Sequence, residues 1–235
     1  MSNITTIGVI GLGNAGAPIL NNLNKSNKYK LVAFDIDTKK LNDIPKNIIK
    51  ATSIKNLAEQ CNVVLTCLPK PEHVLEAVDG KDGLLQNAST GMVWIDTSTT
   101  NFKQTQELAS KASTYGVSML EATLTGGVHA LQNNNMVCLA GGDEVTFKLW
   151  KEVLQDAIGE VVVLCGKVGA GAIAKVVSNM LAFTNMVAAS ECMMIAKKAG
   201  LDLENFFDAI RVSAGNSFAW ETVVPHIFNQ KYESG

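Results

Sequence analysis

Thr6-Ile7-Gly8-Val9-Ile10-Gly11-Leu12-Gly13-Asn14-Ala15-Gly16 is the stretch that decides the fold. Its first half is short, apolar and β-branched, which reads as a strand over Thr6–Ile10. Its second half is G-x-G-x-x-G running into a helical pattern over 15–25. Each glycine has its own task. Gly11 allows a tight turn, Gly13 lets the backbone approach a pyrophosphate, and Gly16 lets the helix pack close to the strand. The helix start then offers free N–H groups and a positive dipole end to phosphate. Gly11, Leu12, Gly13, Asn14, Ala15 and Gly16 are therefore the phosphate-side candidates for a bound dinucleotide.

The next strand, 31–34, runs into Asp35, 19 residues past Gly16. A dinucleotide-binding turn wants a carboxylate there for the adenosine ribose hydroxyls. Asp37 lies two residues on, as a second possible acceptor. A carboxylate at this place repels a 2′-phosphate, so the expected cofactor is NAD rather than NADP. Lys39 and Lys40 could reach a phosphate, but as lysines at a helix start they read as solvated.

Working outward, further strands fall at 48–51, 63–67, 93–95, 118–121, 136–140 and 161–164. Helical stretches fit 54–60, 73–78, 103–115 and 144–154, with Ser53 and Asp143 placed to cap two of them. Several strands are continuous Val/Ile/Leu runs, as expected when helices cover both faces of a parallel sheet. After Gly166 the strands stop. One helical pattern runs from Gly169–Gly171 to a stop at Gly200 behind Lys197 and Lys198. Two shorter helices follow, at 203–212 and 218–224. The expected architecture is α/β: a Rossmann-type parallel-sheet domain over 1–166, then over 167–235 a long interdomain helix and the start of an all-helical domain.

The composition agrees and excludes. The chain has 235 residues, 20 basic against 22 acidic, 47% hydrophobic and 18% charged. That is too apolar for a mainly disordered chain and too neutral for a phosphate-backbone binder, so no nucleic-acid partner is expected. Five scattered cysteines form neither a ladder nor a CxxC pair, which points to a reducing, cytoplasmic setting. His73, His129 and His226 are too far apart for a local metal motif, so no metal is expected. The apolar stretch 168–199 is interrupted by Lys175, Asn179, Asn185 and Glu191, and no membrane span is expected. Met186, Met193 and Met194 on that stretch read as core or dimer packing, and its apolar character suggests a homo-oligomer.

Lys175 and Asn179 sit at i and i+4, hence on one face of the long helix. A lysine in an apolar helix is costly unless its head is paired, solvated or used. Beside these residues, several segments are similar in order and approximate spacing to the β-hydroxyacid dehydrogenases, the family of 3-hydroxyisobutyrate dehydrogenase. Val9 to Gly16 resembles their opening. Cys67-Leu68-Pro69 resembles their strand end on the adenosine and nicotinamide side. Asp96-Thr97-Ser98-Thr99 resembles a D-x-S-T signature whose last threonine faces the cofactor. Glu121-Ala122-Thr123-Leu124-Thr125-Gly126-Gly127 resembles the D-A-P-V-S-G-G substrate loop, and Gly141-Gly142 its following glycine pair. Gly169-Ala170-Gly171 through Lys175 to Asn179 resembles the helix of the catalytic lysine.

The resemblance spans essentially the whole chain. It implies Lys175 as the catalytic residue, and Leu68, Pro69 and Thr99 as cofactor contacts beside the glycine loop and Asp35. Thr125, Gly126, Gly127 and Asn179 become substrate contacts. The implied activity is NAD-dependent interconversion of a small 3-hydroxy acid and its semialdehyde. Two alternatives stand beside it: an NADPH-dependent semialdehyde or glyoxylate reductase of the same family, and a non-catalytic NAD-binding module. There are departures: Glu121 for Asp, Thr123 for Pro, Thr125 for Ser, and Asn133-Asn134-Asn135 in a usually glycine- and alanine-rich run. Ser178 replaces the histidine of related 6-phosphogluconate dehydrogenases, and Lys175 argues against imine reductases. His129 and Ser213–Ser217 lie where the family has loops near the site. Family members continue with further helices beyond the point matching Gly235, so the resemblance implies a longer parent chain.

Overall fold

The computed structural model describes residues 4–126 and 128–228. They form two compact units, Met1–Lys175 and Val176–Gly235.

The first unit is built on one sheet of β1 (Thr6–Ile10), β2 (Lys30–Phe34), β3 (Ile49–Lys50), β4 (Val63–Thr66), β5 (Val93–Asp96), β6 (Ser118–Thr125), β7 (Val137–Gly141) and β8 (Val162–Gly166). The order is β3-β2-β1-β4-β5-β6-β7-β8. Alternate residues of each strand feed opposite faces, and both faces are buried. Ile7, Val9, Leu65, Ile95 and Leu120 pack with Ile19, Leu23 and Phe147 on one side. Ile10, Val32, Val64, Trp94 and Met119 pack with Leu57, Val74, Leu85 and Leu108 on the other. This two-sided burial explains the uninterrupted apolar runs, each such side chain stabilising the fold by ~1.5–3 kcal/mol.

The helices over the sheet are α1 (Gly16–Ser26), α2 (Ile54–Ala58), α3 (Pro71–Asp79), α4 (Leu84–Asn87), α5 (Phe102–Thr114), α6 (Val128–Gln132) and α7 (Glu144–Ala157). Ser53 and Asp143 cap α2 and α7, accepting from Asn56 N–H and from Val145 and Thr146 N–H. One expectation needs correction: the sheet is not wholly parallel. β6 and β7 pair antiparallel, while β7 and β8 are parallel to each other. The connection across Gly126–Met136 is too short for the usual crossover that parallel neighbours require, so the chain turns back on itself.

α8 runs Ala170–Lys198 as one helix of 29 residues. The units divide within it, after Lys175. The second unit adds α9 (Leu203–Arg211) and α10 (Phe218–Phe228). Its core is Ala189, Met193, Trp220 and Val224, with Trp220 Nε1 donating to the Phe207 carbonyl at 3.1 Å. By length and composition alone, α8 is apolar enough to cross a membrane.

Candidate active site

Strand register gathers the motifs into one line. Phe34, Ile10, Thr66, Asp96, Glu121, Gly141 and Gly166 are successive Cα partners across the sheet. One residue past this row come Asp35, Gly11, Cys67 and Thr97, each within one of the sequence motifs. β2 and β4 leave β1 on opposite sides, so the glycine loop lies where strand order reverses. Open α/β sheets bind ligands there, beyond the carboxyl ends of the strands.

The three glycines divide their labour as their positions require. At Gly11, φ is +93° and a Cβ would strike the Cys67 carbonyl. At Gly16 a Cβ would strike the Gly11 carbonyl. A Cβ at Gly13 would meet nothing within 4 Å, so its side of the loop is open to a ligand. No side chain caps the start of α1 at Ala15, whereas Ser53, Asn101 and Asp143 cap their own helices. The N–H groups of a helix start need an acceptor, and a pyrophosphate would fit this cradle.

Asp35 is buried, with Oδ2 accepting from Leu12 N–H at 2.7 Å and Oδ1 from Asp37 N–H at 2.8 Å. Lys40 Nζ adds a bond to Oδ2 at 3.1 Å. Burial alone would raise its pKa. The two amides and Lys40 outweigh that and hold the carboxyl below its ordinary range. Lys40 is thus no merely solvated lysine: the 3-10 turn Thr38–Asn42 brings it back onto Asp35. Asp37 is exposed and caps that turn through Lys39 N–H.

The Leu68 and Thr99 loops are tied together beneath the surface. Trp94 Nε1 donates to Thr66 Oγ1 at 2.9 Å, and Thr66 Oγ1 donates to Asp96 Oδ1 at 2.8 Å. Ser98 N–H also donates to Asp96 Oδ1, while Leu68 N–H donates to Ser98 Oγ at 2.9 Å. Pro69 and Thr99 are exposed at the ends of these loops. Asp96 and Ser98 belong to the D-x-S-T segment, whereas Thr66 and the Trp94 indole carried no local sequence signal for their part in this network.

Burial pushes Asp96 up to about 6; hydrogen bonds from Ser98 and Thr66 pull it back, and the Glu121 charge raises it. An aspartate raised in the folded state holds a proton that the unfolded chain releases. Stability therefore falls as pH rises from about 4 through about 6. Asp96→Asn should gain on the wild type over that interval, relative to its standing at lower pH. Thermal melts of both proteins across the window check this; a pH-independent difference would refute it.

Thr125 ends β6 and is half-buried, and Gly126 is exposed with φ at +131°. Gly127 and the side chain of His129 lie outside the described residues. Lys175 is half-buried on the second turn of α8. Among the described residues it has neither an ion pair nor a hydrogen-bonded side-chain partner, and burial lowers its pKa. Asn179 lies four residues further along the helix, in the second unit, as does Ser213–Ser217. Among the described residues no group of His, Cys, Asp and Glu could hold a metal ion.

Residues 6–166 match the NAD-binding domain of 6-phosphogluconate dehydrogenase. Residues 169–235 match the NAD-binding domain of NADP-dependent 3-hydroxyisobutyrate dehydrogenase. Mitochondrial 3-hydroxyisobutyrate dehydrogenase of Mus musculus is 32% identical over 230 residues, 96% of this chain and 67% of the relative. The chain belongs to the 3-hydroxyisobutyrate dehydrogenase family. Another member is the Mycobacterium tuberculosis 3-hydroxyisobutyrate dehydrogenase solved with L-serine. It is 30% identical with a TM-score of 0.87, over 94% of this chain and 75% of that one. The human mitochondrial 3-hydroxyisobutyrate dehydrogenase is 32% identical over 94% of this chain and 66% of its own length. The chain thus spans about two thirds of its mammalian relatives, and it carries the family's dinucleotide-binding domain.

Proposed function

We propose that the protein interconverts a small 3-hydroxy acid and its semialdehyde, with NAD as redox partner. The observation that carries this reading is Lys175, half-buried and without an ion-pair or hydrogen-bonded side-chain partner among the described residues, on the helix that starts beside the register row of the dinucleotide motifs. Bound nicotinamide supplies the hydride acceptor. Lys175 takes the hydroxyl proton during oxidation and returns it during reduction, and burial lowers its pKa in the direction that task requires. By the family resemblance, Thr125 Oγ1 and the backbone of Gly126 receive the substrate carboxylate. L-serine, held by the mycobacterial relative, is itself a 3-hydroxy acid with a carboxylate, which supports this substrate class. A panel of 3-hydroxy acids, assayed with the full-length protein and both cofactors, tests the reading. Cofactor binding without turnover of any of them would favour the non-catalytic module.

Asp35 supports NAD because its ionised carboxyl repels a 2′-phosphate while accepting from ribose hydroxyls. Lys40 favours the second reading, the NADPH-linked reductase, since a 2′-phosphate could draw it away from Asp35. Wild-type protein is expected to bind NAD more tightly than NADP. Asp35→Ala should narrow the gap and Lys40→Ala should widen it, as read by fluorescence titration of each cofactor. Equal or tighter NADP binding by the wild type would overturn the choice of NAD.

The exposed apolar side chains Val176, Val177, Met180, Leu181, Phe183 and Val187 support self-association of the chain. We read α8 as covered by protein rather than lipid, because the helical family domain matches across it. The scattered cysteines support a cytoplasmic setting.

A further inference from the structure

Glu121 is the acid of the register row that the sequence motif does not explain. It is 2% exposed, and a buried carboxylate is tolerated only when donors replace its water. The donors are all backbone. Gly169 N–H and Gly171 N–H donate to Oε2 at 2.9 and 3.0 Å, and Ala172 N–H donates to Oε1 at 2.8 Å. These groups enter and form the first turn of α8, where helix N–H groups lack intrahelical partners and the dipole is positive. Charge-assisted bonds of this kind are among the stronger ones.

The glycines around it reserve the space. A Cβ on Gly141 would stand 2.5 Å from Glu121 Oε2, and one on Gly171 would stand 3.0 Å from it. Thr123 completes the grip: its hydroxyl lies 2.9 Å from the Leu139 carbonyl and 3.2 Å from that of Gly171. Side chains two apart on a strand share a face, so Glu121, Thr123 and Thr125 form one row along β6. Leu120 and Ala122 point instead into the apolar core. One strand therefore holds the start of the lysine helix and, four residues on, presents the hydroxyl assigned to the substrate.

We propose that Glu121 is a positioning residue, whose carboxylate fixes the first turn of α8 and thereby sets where Lys175 stands, an inference resting on the dehydrogenase reading above. Lys175 follows Ala172 by three residues, one turn away on a neighbouring face. A rigid helix passes a shift of its first turn directly to that side chain. A misplacement of about 1 Å at a reacting group can cost ~10²-fold in rate.

The test compares Glu121→Gln, Glu121→Asp and Thr123→Val in the full-length protein. A glutamine amide offers one acceptor oxygen and two unwanted donors to a site with three N–H groups, so the first turn must move. Expected for Glu121→Gln is a loss of kcat of about 10²-fold, with KM and cofactor affinity nearly unchanged and amide-exchange protection lost at Gly169, Gly171 and Ala172. Glu121→Asp keeps charge and acceptors on a shorter arm and should restore much of that kcat. Unchanged kcat in Glu121→Gln would overturn the proposal. So would a loss that falls equally on cofactor affinity, or one that aspartate does not relieve. Should Glu121→Gln fail to fold, Thr123→Val decides, with a smaller kcat loss at constant cofactor affinity expected and no loss refuting. A wild type that oxidises no 3-hydroxy acid would sink the dehydrogenase reading instead. Amide exchange in the Glu121 variants would still judge the clamp.

Discussion

Replacing Lys175 with methionine is expected to lower kcat by ~10²–10⁴-fold, the usual worth of a positioned proton-transfer group, while cofactor affinity stays near wild type. Methionine keeps an unbranched chain of similar length, so the helix should be undisturbed and only the amine lost. The structure makes this a sharp test. Lys175 has no ion pair or hydrogen-bonded side-chain partner among the described residues, so removing its head orphans no carboxylate and breaks no polar network. An effect on rate therefore does not come from a salt bridge broken among the described residues. Burial lowers the lysine pKa, so the unprotonated base gains population at lower pH than a free lysine would. Oxidation should rise with pH through that lowered value, and reduction, which needs the proton, should fall through it. Both limbs should vanish in the variant. Retention of more than about a tenth of wild-type kcat, outside the range for such a group, would remove Lys175 from the mechanism.

The sequence showed the row of motifs but not what joins them. Thr6–Ile10 could be read to the residue because a β-branched run meets a glycine turn, and Ser53 and Asp143 cap the helices they precede. The antiparallel turn between β6 and β7 was hidden, because strands buried on both faces lose the alternation that marks their direction and partners. α4 and α6 have four and five residues, too short for a helical period to appear. Lys40 reaches Asp35 only because a 3-10 turn intervenes. The Glu121 bonds span 48 to 51 residues, a separation at which no local pattern operates. In the sequence, Glu121 shows only as a departure from the family's aspartate. The glycines at 141, 169 and 171 were legible as a pattern, yet their purpose at 141 and 171, room for that carboxylate, needed coordinates.

The glycine loop yields the other large effect, through a contrast between two residues three apart. Gly13→Val is expected to fold with stability within ~0.5 kcal/mol of wild type, the range for substitutions that touch nothing. A Cβ there meets no protein atom within 4 Å and the backbone is not in the left-handed region. The added branches instead fill the open side of the loop, where a pyrophosphate must approach the backbone. Dinucleotide affinity should therefore fall by at least about tenfold, or roughly 1.4 kcal/mol. Gly16→Val should do the reverse. Its Cβ would drive into the Gly11 carbonyl, with Cys67 Cβ a further 3.3 Å neighbour. Relief requires α1 to back away from β1, and overpacking of that kind costs ~1–3 kcal/mol or more. Its primary loss should appear as a lower Tm, with binding weakened because the loop no longer closes. Thermal melts and cofactor titrations on the same two variants separate the cases. If Gly13→Val bound dinucleotide normally, the open side of the loop would not be where the phosphates lie. If it melted as early as Gly16→Val, the division of labour among the three glycines would be wrong.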